Sequence, residues 1–197
     1  MPVLTRLLRP FLARCLGRSI LLRLLLLPAP ALVAAPLAAV NREYAIKAAA
    51  LYNFIPFIDW PPAAFPSPSS PVIIGILGPD PFGPLIDGLV ENENYRGHPI
   101  QVRRYHSVDE IGLCHILFVS RHEPRYVRVL VHSAFASRPM LTVSDADDFA
   151  RDGGGAQFFI QRNRVQMLFN LRATNAAGLK ISSKLLRLCD VIEEGQP

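Results

Sequence analysis

Cysteine and tryptophan are scarce, with three of the first and one of the second in 197 residues. No CxxC and no HExxH spacing occurs, which removes the local signatures of a redox dithiol and of a zinc protease. The five histidines, His98, His106, His115, His122 and His132, are scattered and form no i, i+4 pair, so no metal site is expected. A nucleophile elbow is absent as well. The turn "GPDPFG" (78–83) stands where a phosphate-cradling loop would follow a first strand, but it lacks the glycine spacing and the lysine. Pro79 and Pro81 also have no N–H to offer a phosphate. No cofactor is implied, and the expectation is a protein that is not an enzyme. A catalytic set would have to be assembled from widely separated positions.

Acidic side chains are missing from the first 39 residues, which carry Arg6, Arg9, Arg14, Arg18 and Arg23 and no lysine. Removing those five from the 21 basic residues leaves 16 against 16 acidic ones, so the formal charge of +5 belongs to the leader and the remainder is neutral. A neutral domain offers little to a phosphate backbone, and no nucleic-acid partner is expected. The arginine-bearing head, the apolar run from Leu24 and the small residues of "VAAPLAA" read as a secretory signal peptide over 1–39, followed by one domain over 41–194. Pro28, Pro30 and Pro36 interrupt the run, whereas a spanning helix needs about 20 apolar residues. The mature chain is therefore expected outside the cytoplasmic membrane without stable insertion in it. Export permits disulfides; with Cys15 in the leader, one bridge, Cys114 to Cys189, is available, against the alternative that each is a buried free thiol.

What is present is a rhythm. After the irregular "PPAAFPSPSSP" (61–71), short apolar runs at 72–77, 99–105, 115–120 and 139–144 read as strands. Between them lie a helix through Leu85, Ile86, Leu89 and Val90, a short helix with Ser107 at its N-cap, and a helix carrying the stripe Val127, Leu130, Val131, Ala134 and Phe135. Strands alternating with helices predict an α/β layered domain with a mostly parallel sheet. "AQFFIQ" and "VQMLFN" around "RNR" predict a C-terminal antiparallel hairpin, and a closing helix is expected from about Ala176 to Glu193. In "SDADDF", Ser144 or Asp145 is expected to cap a short helix.

The leading segment "KAAALYNFIPFIDWP" (47–61) reads as a helix that Pro56 kinks or ends. Its Tyr52, Phe54, Phe57 and Trp60 are apolar on more than one side. Either all are core, or some of them form a surface for a partner protein or a second copy, where aromatics serve as anchors. Lys180, Lys184 and Arg187 recur at i, i+4, i+7 as a basic stripe, either solvated or facing an acidic partner.

Four ordered segments resemble the exported YfiR/HmsC-type family: "KAAALYNFIPFIDWP"; "GILGPDPFG" with "RGHPIQVRR"; "LCHILFVSR" with "RPMLTVSDADDFARDGG"; and "NRVQMLFNLRATNAAGLKISSKLLRLC". The resemblance implies a leading helix, a mostly parallel sheet and a closing helix. It further implies a periplasmic regulatory protein that binds and represses the sensing domain of an inner-membrane diguanylate cyclase, lowering cyclic di-GMP and biofilm formation. Some members are redox-controlled through disulfides; "FARDGGGAQFF" carries no cysteine pair, so this sequence departs from them there. The rival readings are a soluble periplasmic small-ligand-binding component and an enzyme with a dispersed site.

Overall fold

The computed structural model describes residues 34–132 and 138–193. The leader expected over 1–39 lies mostly outside them, as do Ala134 and Phe135 of the predicted helical stripe. Contacts divide the chain after Ala38, and the architecture below is that of the unit beginning at Ala39.

Helix α1 (Ala34–Phe54) ends where Pro56 would withdraw a backbone donor, and the chain tightens into a 3-10 turn at Ile55–Phe57. The further elements are strand β1 (Ile58–Asp59), β2 (Val72–Leu77), helix α2 (Pro84–Val90), β3 (Asn94–Tyr95) and β4 (His98–Tyr105). They are followed by β5 (Ile116–Val119), helix α3 (Pro124–His132), β6 (Leu141–Ser144), β7 (Ala156–Gln161) and β8 (Arg164–Asn170). Helix α4 (Leu171–Ala176), β9 (Lys180–Ile181), helix α5 (Ser183–Leu186) and β10 (Asp190–Ile192) complete the described chain. Ser107 stands at the N-cap of a 3-10 turn at Val108–Glu110, without a side-chain cap bond.

Eight strands form one sheet in the order β10-β8-β7-β6-β5-β2-β4-β3. The pairs are parallel except for the β7–β8 hairpin and the β3–β4 pair. The predicted fold class is therefore the observed one. The β7–β8 hairpin turns on Arg162 and Asn163, both at positive φ (49° and 61°), which is the backbone a two-residue turn between twisted strands requires.

Alternation along the central strands divides the core in two. Val72, Ile74, Ile76, Ile116 and Phe118 face one side beneath α1 and α2, with Tyr44, Leu51, Phe54, Phe82 and Ile86. Ile73, Leu77, Leu117 and Val119 face the other, beneath Leu130 of α3, with Tyr105, Cys114 and Phe149. Gly75 is the gap in that second face: a Cβ there would stand 2.7 Å from Cys114 Sγ and 2.8 Å from the Tyr105 ring. Because both faces of β2 and β5 are covered, their sequences are uninterrupted apolar runs.

The closing helix expected over 176–193 is not a single helix. Helix α4 starts earlier, where the Asn170 side chain accepts the Ala173 N–H. It ends in a left-handed turn at Gly178 (φ 72°), with Gly178 N–H bonded to Asn175 O and Leu179 N–H to Thr174 O. That pair of bonds is the Schellman stop. The chain then forms β9 against β1, and Ser182 caps one turn of α5 by accepting the Lys184 N–H. The basic residues expected to share one helix face are thus spread over a strand, a helix and a helix cap.

Candidate functional site

The leading and closing segments, far apart in sequence, meet. Strand β1 pairs antiparallel with β9, Ile58 opposite Ile181 and Asp59 opposite Lys180, and the Ser182 N–H donates to Phe57 O at 2.8 Å. The two segments that carry the sequence-predicted partner residues are therefore neighbours in the fold. Of the four aromatics, Phe54 is core: it is 1% exposed, stacked on Phe158 at 6.0 Å and edge-on to Phe169 at 5.4 Å. Tyr52 is half-buried and its hydroxyl donates to Glu93 at 3.0 Å. Phe57 and Trp60 are half-buried against the core, while Pro56, Asp59, Lys180, Lys184 and Arg187 are exposed. The two joined segments thus carry half-buried aromatics and three exposed cations.

Behind Trp60 lies a histidine the sequence did not single out. His115 is fully buried, and its Nδ1 accepts the Ile73 N–H at 3.0 Å, extending the β2–β5 ladder through a side chain. Nε2 therefore carries the proton of the neutral ring. Neither it nor Trp60 Nε1 has a bond of ordinary geometry, although Trp60 lies edge-on to His115 at 5.3 Å. Phe65 closes the cluster, 4.7 Å from the His115 ring and 4.2 Å from that of His98. Burial lowers the His115 pKa from 6.5 to about 4, with His98 adding to the same effect.

A second constellation sits at the carboxyl ends of β5 and β6. Lys47, with no exposed surface, projects from the core side of α1 and donates to Asp145 Oδ2 at 2.6 Å and Glu43 Oε1 at 2.5 Å. Tyr44 donates to the same Asp145 oxygen at 3.1 Å. Arg121 contributes its backbone N–H to Oδ1 at 2.8 Å and its Nε to Oδ2 at 3.3 Å. Burial alone would raise the Asp145 pKa, but the Lys47 and Arg121 bonds overcome it and the net shift is downward. The Tyr44 hydroxyl is pushed up to about 12 by burial and by Asp145. Asp145 is thus not the helix cap expected of it. Residues 146–153 form turns, Ser144 Oγ accepts the Ala146 N–H, and the carboxylate is recruited by the buried lysine.

In open parallel sheets, ligands enter at the carboxyl ends of the strands beside a topological switch, which here lies between β2 and β5. Gly78 at the end of β2 already has the Glu123 side chain against it. The four charges of the Lys47 cluster neutralise one another. The arrangement anchors α1 on the sheet and presents no nucleophile.

A cleft of about 280 Å³ opens at the opposite end of the sheet, between the turn at Ala63–Ala64 and the segments preceding β5 and β6, with Arg138 and Cys114 in its wall. Burial pushes the Cys114 thiol up to about 12, so it is unreactive there. Cys189 packs against the other core, its thiol raised to about 11 by burial. The bridge considered between Cys114 and Cys189 is not formed; both are free thiols belonging to opposite faces of the sheet. Among the described residues no group of His, Cys, Asp or Glu could hold a metal ion, and no helix is long and apolar enough to cross a membrane.

No curated protein matches the chain. The family model described as YfiR/HmsC-like matches residues 44–190, which take in the aromatic segment and, apart from Glu43, the Lys47 cluster, and the chain belongs to that family, a regulatory and not a catalytic one.

Proposed function

We propose that the chain is a periplasmic regulatory protein that binds the sensing domain of an inner-membrane diguanylate cyclase and holds it inactive, lowering cyclic di-GMP and biofilm formation. Membership of a regulatory family over 44–190 carries this reading. The arginine-bearing leader over 1–39, ahead of a neutral domain over 41–194, supports export. The mechanism is a population shift, in which the regulator prefers the inactive sensor and an envelope signal weakens that preference. The binding face is the joined surface of β1 and β9. Tyr52, Phe57 and Trp60 supply aromatic anchors at its edge, and Lys180, Lys184 and Arg187 supply a cationic rim for an acidic partner.

Affinity capture from an envelope extract, followed by mass spectrometry, tests the reading. The retained protein should be a membrane protein with a diguanylate cyclase output domain. Retention of a transporter or receptor component instead would favour the small-ligand reading, for which the cleft of about 280 Å³ is the available site.

A further inference from the structure

The segment after β1, residues 61–71, contributes no backbone donor to the rest of the domain. Pro61, Pro62, Pro66, Pro68 and Pro71 have no N–H to give. Among the described residues, the bonds made by its other N–H groups stay inside it: Ala64 to Pro61 O, Phe65 to Pro62 O, Ser70 to Ser67 O and Ser67 to Ser70 Oγ. Only Ala64 is buried. Two histidine rings fasten the segment from below. His98 of β4 stacks on Phe65 at 4.2 Å, and its Nδ1 donates to Ser70 O at 2.7 Å. His115, just before β5, lies 4.7 Å from the same Phe65 ring and edge-on to Trp60 at 5.3 Å.

The fastening at His115 holds only while that ring is neutral. Its Nδ1 accepts the Ile73 N–H at 3.0 Å. A second proton would set Nδ1–H against that N–H, two donors facing each other, and would place a charge where the residue has no exposed surface. No carboxylate acts on the ring to offset the charge, and a charge on His98 opposes it. Arg103 and Arg138 act on the adjacent Cys114 thiol, and Asp59, beside Trp60, is exposed. The Ala64 carbonyl favours the proton, but it makes no bond of ordinary geometry with Nε2.

We propose that residues 60–71 form an acid-released strap, in which a proton on His115 Nδ1 breaks the Ile73 bond and lifts Trp60 and Phe65 off the ring while the sheet stays folded. The charged ring reaches water only by displacing these two side chains. The strap moves at small cost, because its own backbone bonds travel with it and what is lost is ring contact and the His98 bond to Ser70 O. Trp60 directly follows β1, whose pairing with β9 is confined to Ile58 and Asp59. Lifting Trp60 therefore loosens the face proposed for the cyclase, and the proton becomes the envelope signal that weakens repression. That consequence rests on the proposed function; the strap itself does not.

Trp60 is the only tryptophan of the chain, so its fluorescence in the purified full chain reads the strap without a label or a partner. On acidification from neutral pH its emission maximum should move to longer wavelength. The midpoint should fall between about 4, where the covered ring takes its proton, and 6.5, where a free ring does. The far-ultraviolet circular dichroism spectrum should be unchanged through that midpoint, and the His115 ring resonances should titrate with it. His115→Asn, whose side-chain oxygen can accept the Ile73 N–H but takes up no proton, should lose the transition, and Asp59→Asn should keep it. A Trp60 shift that comes only with loss of the circular dichroism signal overturns the proposal. So does a shift that survives in His115→Asn or vanishes in Asp59→Asn. If His115→Asn does not fold, the wild type decides: a His115 titration that leaves Trp60 emission unmoved is equally contrary. None of these readings involves a cyclase, so failure of the strap leaves the cyclase reading standing, and capture of a different partner leaves the strap standing.

Discussion

A lysine with no exposed surface is expensive unless every proton it carries is used. Lys47 meets Asp145 and Glu43, and Arg121 backs both acids. Removing one member of a buried pair leaves the other uncompensated, so Lys47→Met should destabilise the domain by about 3 kcal/mol, measured by urea unfolding. His115 behaves differently, because it is buried neutral. Its pKa falls from 6.5 in the unfolded chain to about 4 in the folded one. The unfolded state therefore binds more protons between those values, and stability is fully present above pH 6.5 and declines as pH falls toward 4. Asp145, its pKa lowered on folding, adds a second loss only at more acid pH, as its carboxylate protonates. His115→Gln should flatten the slope between pH 7 and pH 4, over which the wild type loses on the order of 3 kcal/mol; unfolding midpoints across that range read it directly. Neither group was legible in the sequence as a site. Lys47 is separated from Asp145 by 98 positions, and the local signal was only a charge among the apolar residues of a core-facing helix stripe. His115 heads an apolar run, and nothing local shows that its ring accepts a backbone bond from β2.

At the scale of elements, the strands were legible because continuous apolar runs bounded by turns have few alternatives once helices alternate with them. β2 was read at its observed limits of 72–77, and Pro56 marked the end of α1. In the closing segment the spacing of Lys180, Lys184 and Arg187 imitates a helix face, while Gly178 and β-branched Ile181 carry the contrary signal. The packing makes two element-level expectations. Gly75→Ala forces a methyl against Cys114 and Tyr105 and should cost about 1–3 kcal/mol by thermal unfolding. Phe54→Ser removes a core ring and should cost about 3–5 kcal/mol, whereas Tyr52→Ser and Phe57→Ser, at the edge of the β1–β9 face, should keep cooperative unfolding and at least one should lose partner binding. If every variant loses binding only in proportion to stability, the aromatic segment is core alone, and Lys180, Lys184 and Arg187 become the surface to mutate.

For the whole molecule, charge and family point the same way. With the five arginines of residues 1–39 set aside, the chain is formally neutral, and the domain should show no steeply salt-dependent binding to generic DNA in a filter or anisotropy assay. The family was legible in four ordered segments because they hold the strands, the turn after β2 and the start of the closing segment in their characteristic succession. The meeting of β1 with β9 was not, since neither two-residue strand is visible without the other. The central claim is that this face restrains a diguanylate cyclase from outside the cytoplasmic membrane. The most direct measurement is the cellular cyclic di-GMP content, by mass spectrometry, in cells lacking the chain and in cells complemented with the wild type or with folded Phe57→Ser. The account predicts a rise on loss, full reversal by the wild type and weaker reversal by the variant; a content that does not change when the chain is removed would contradict it.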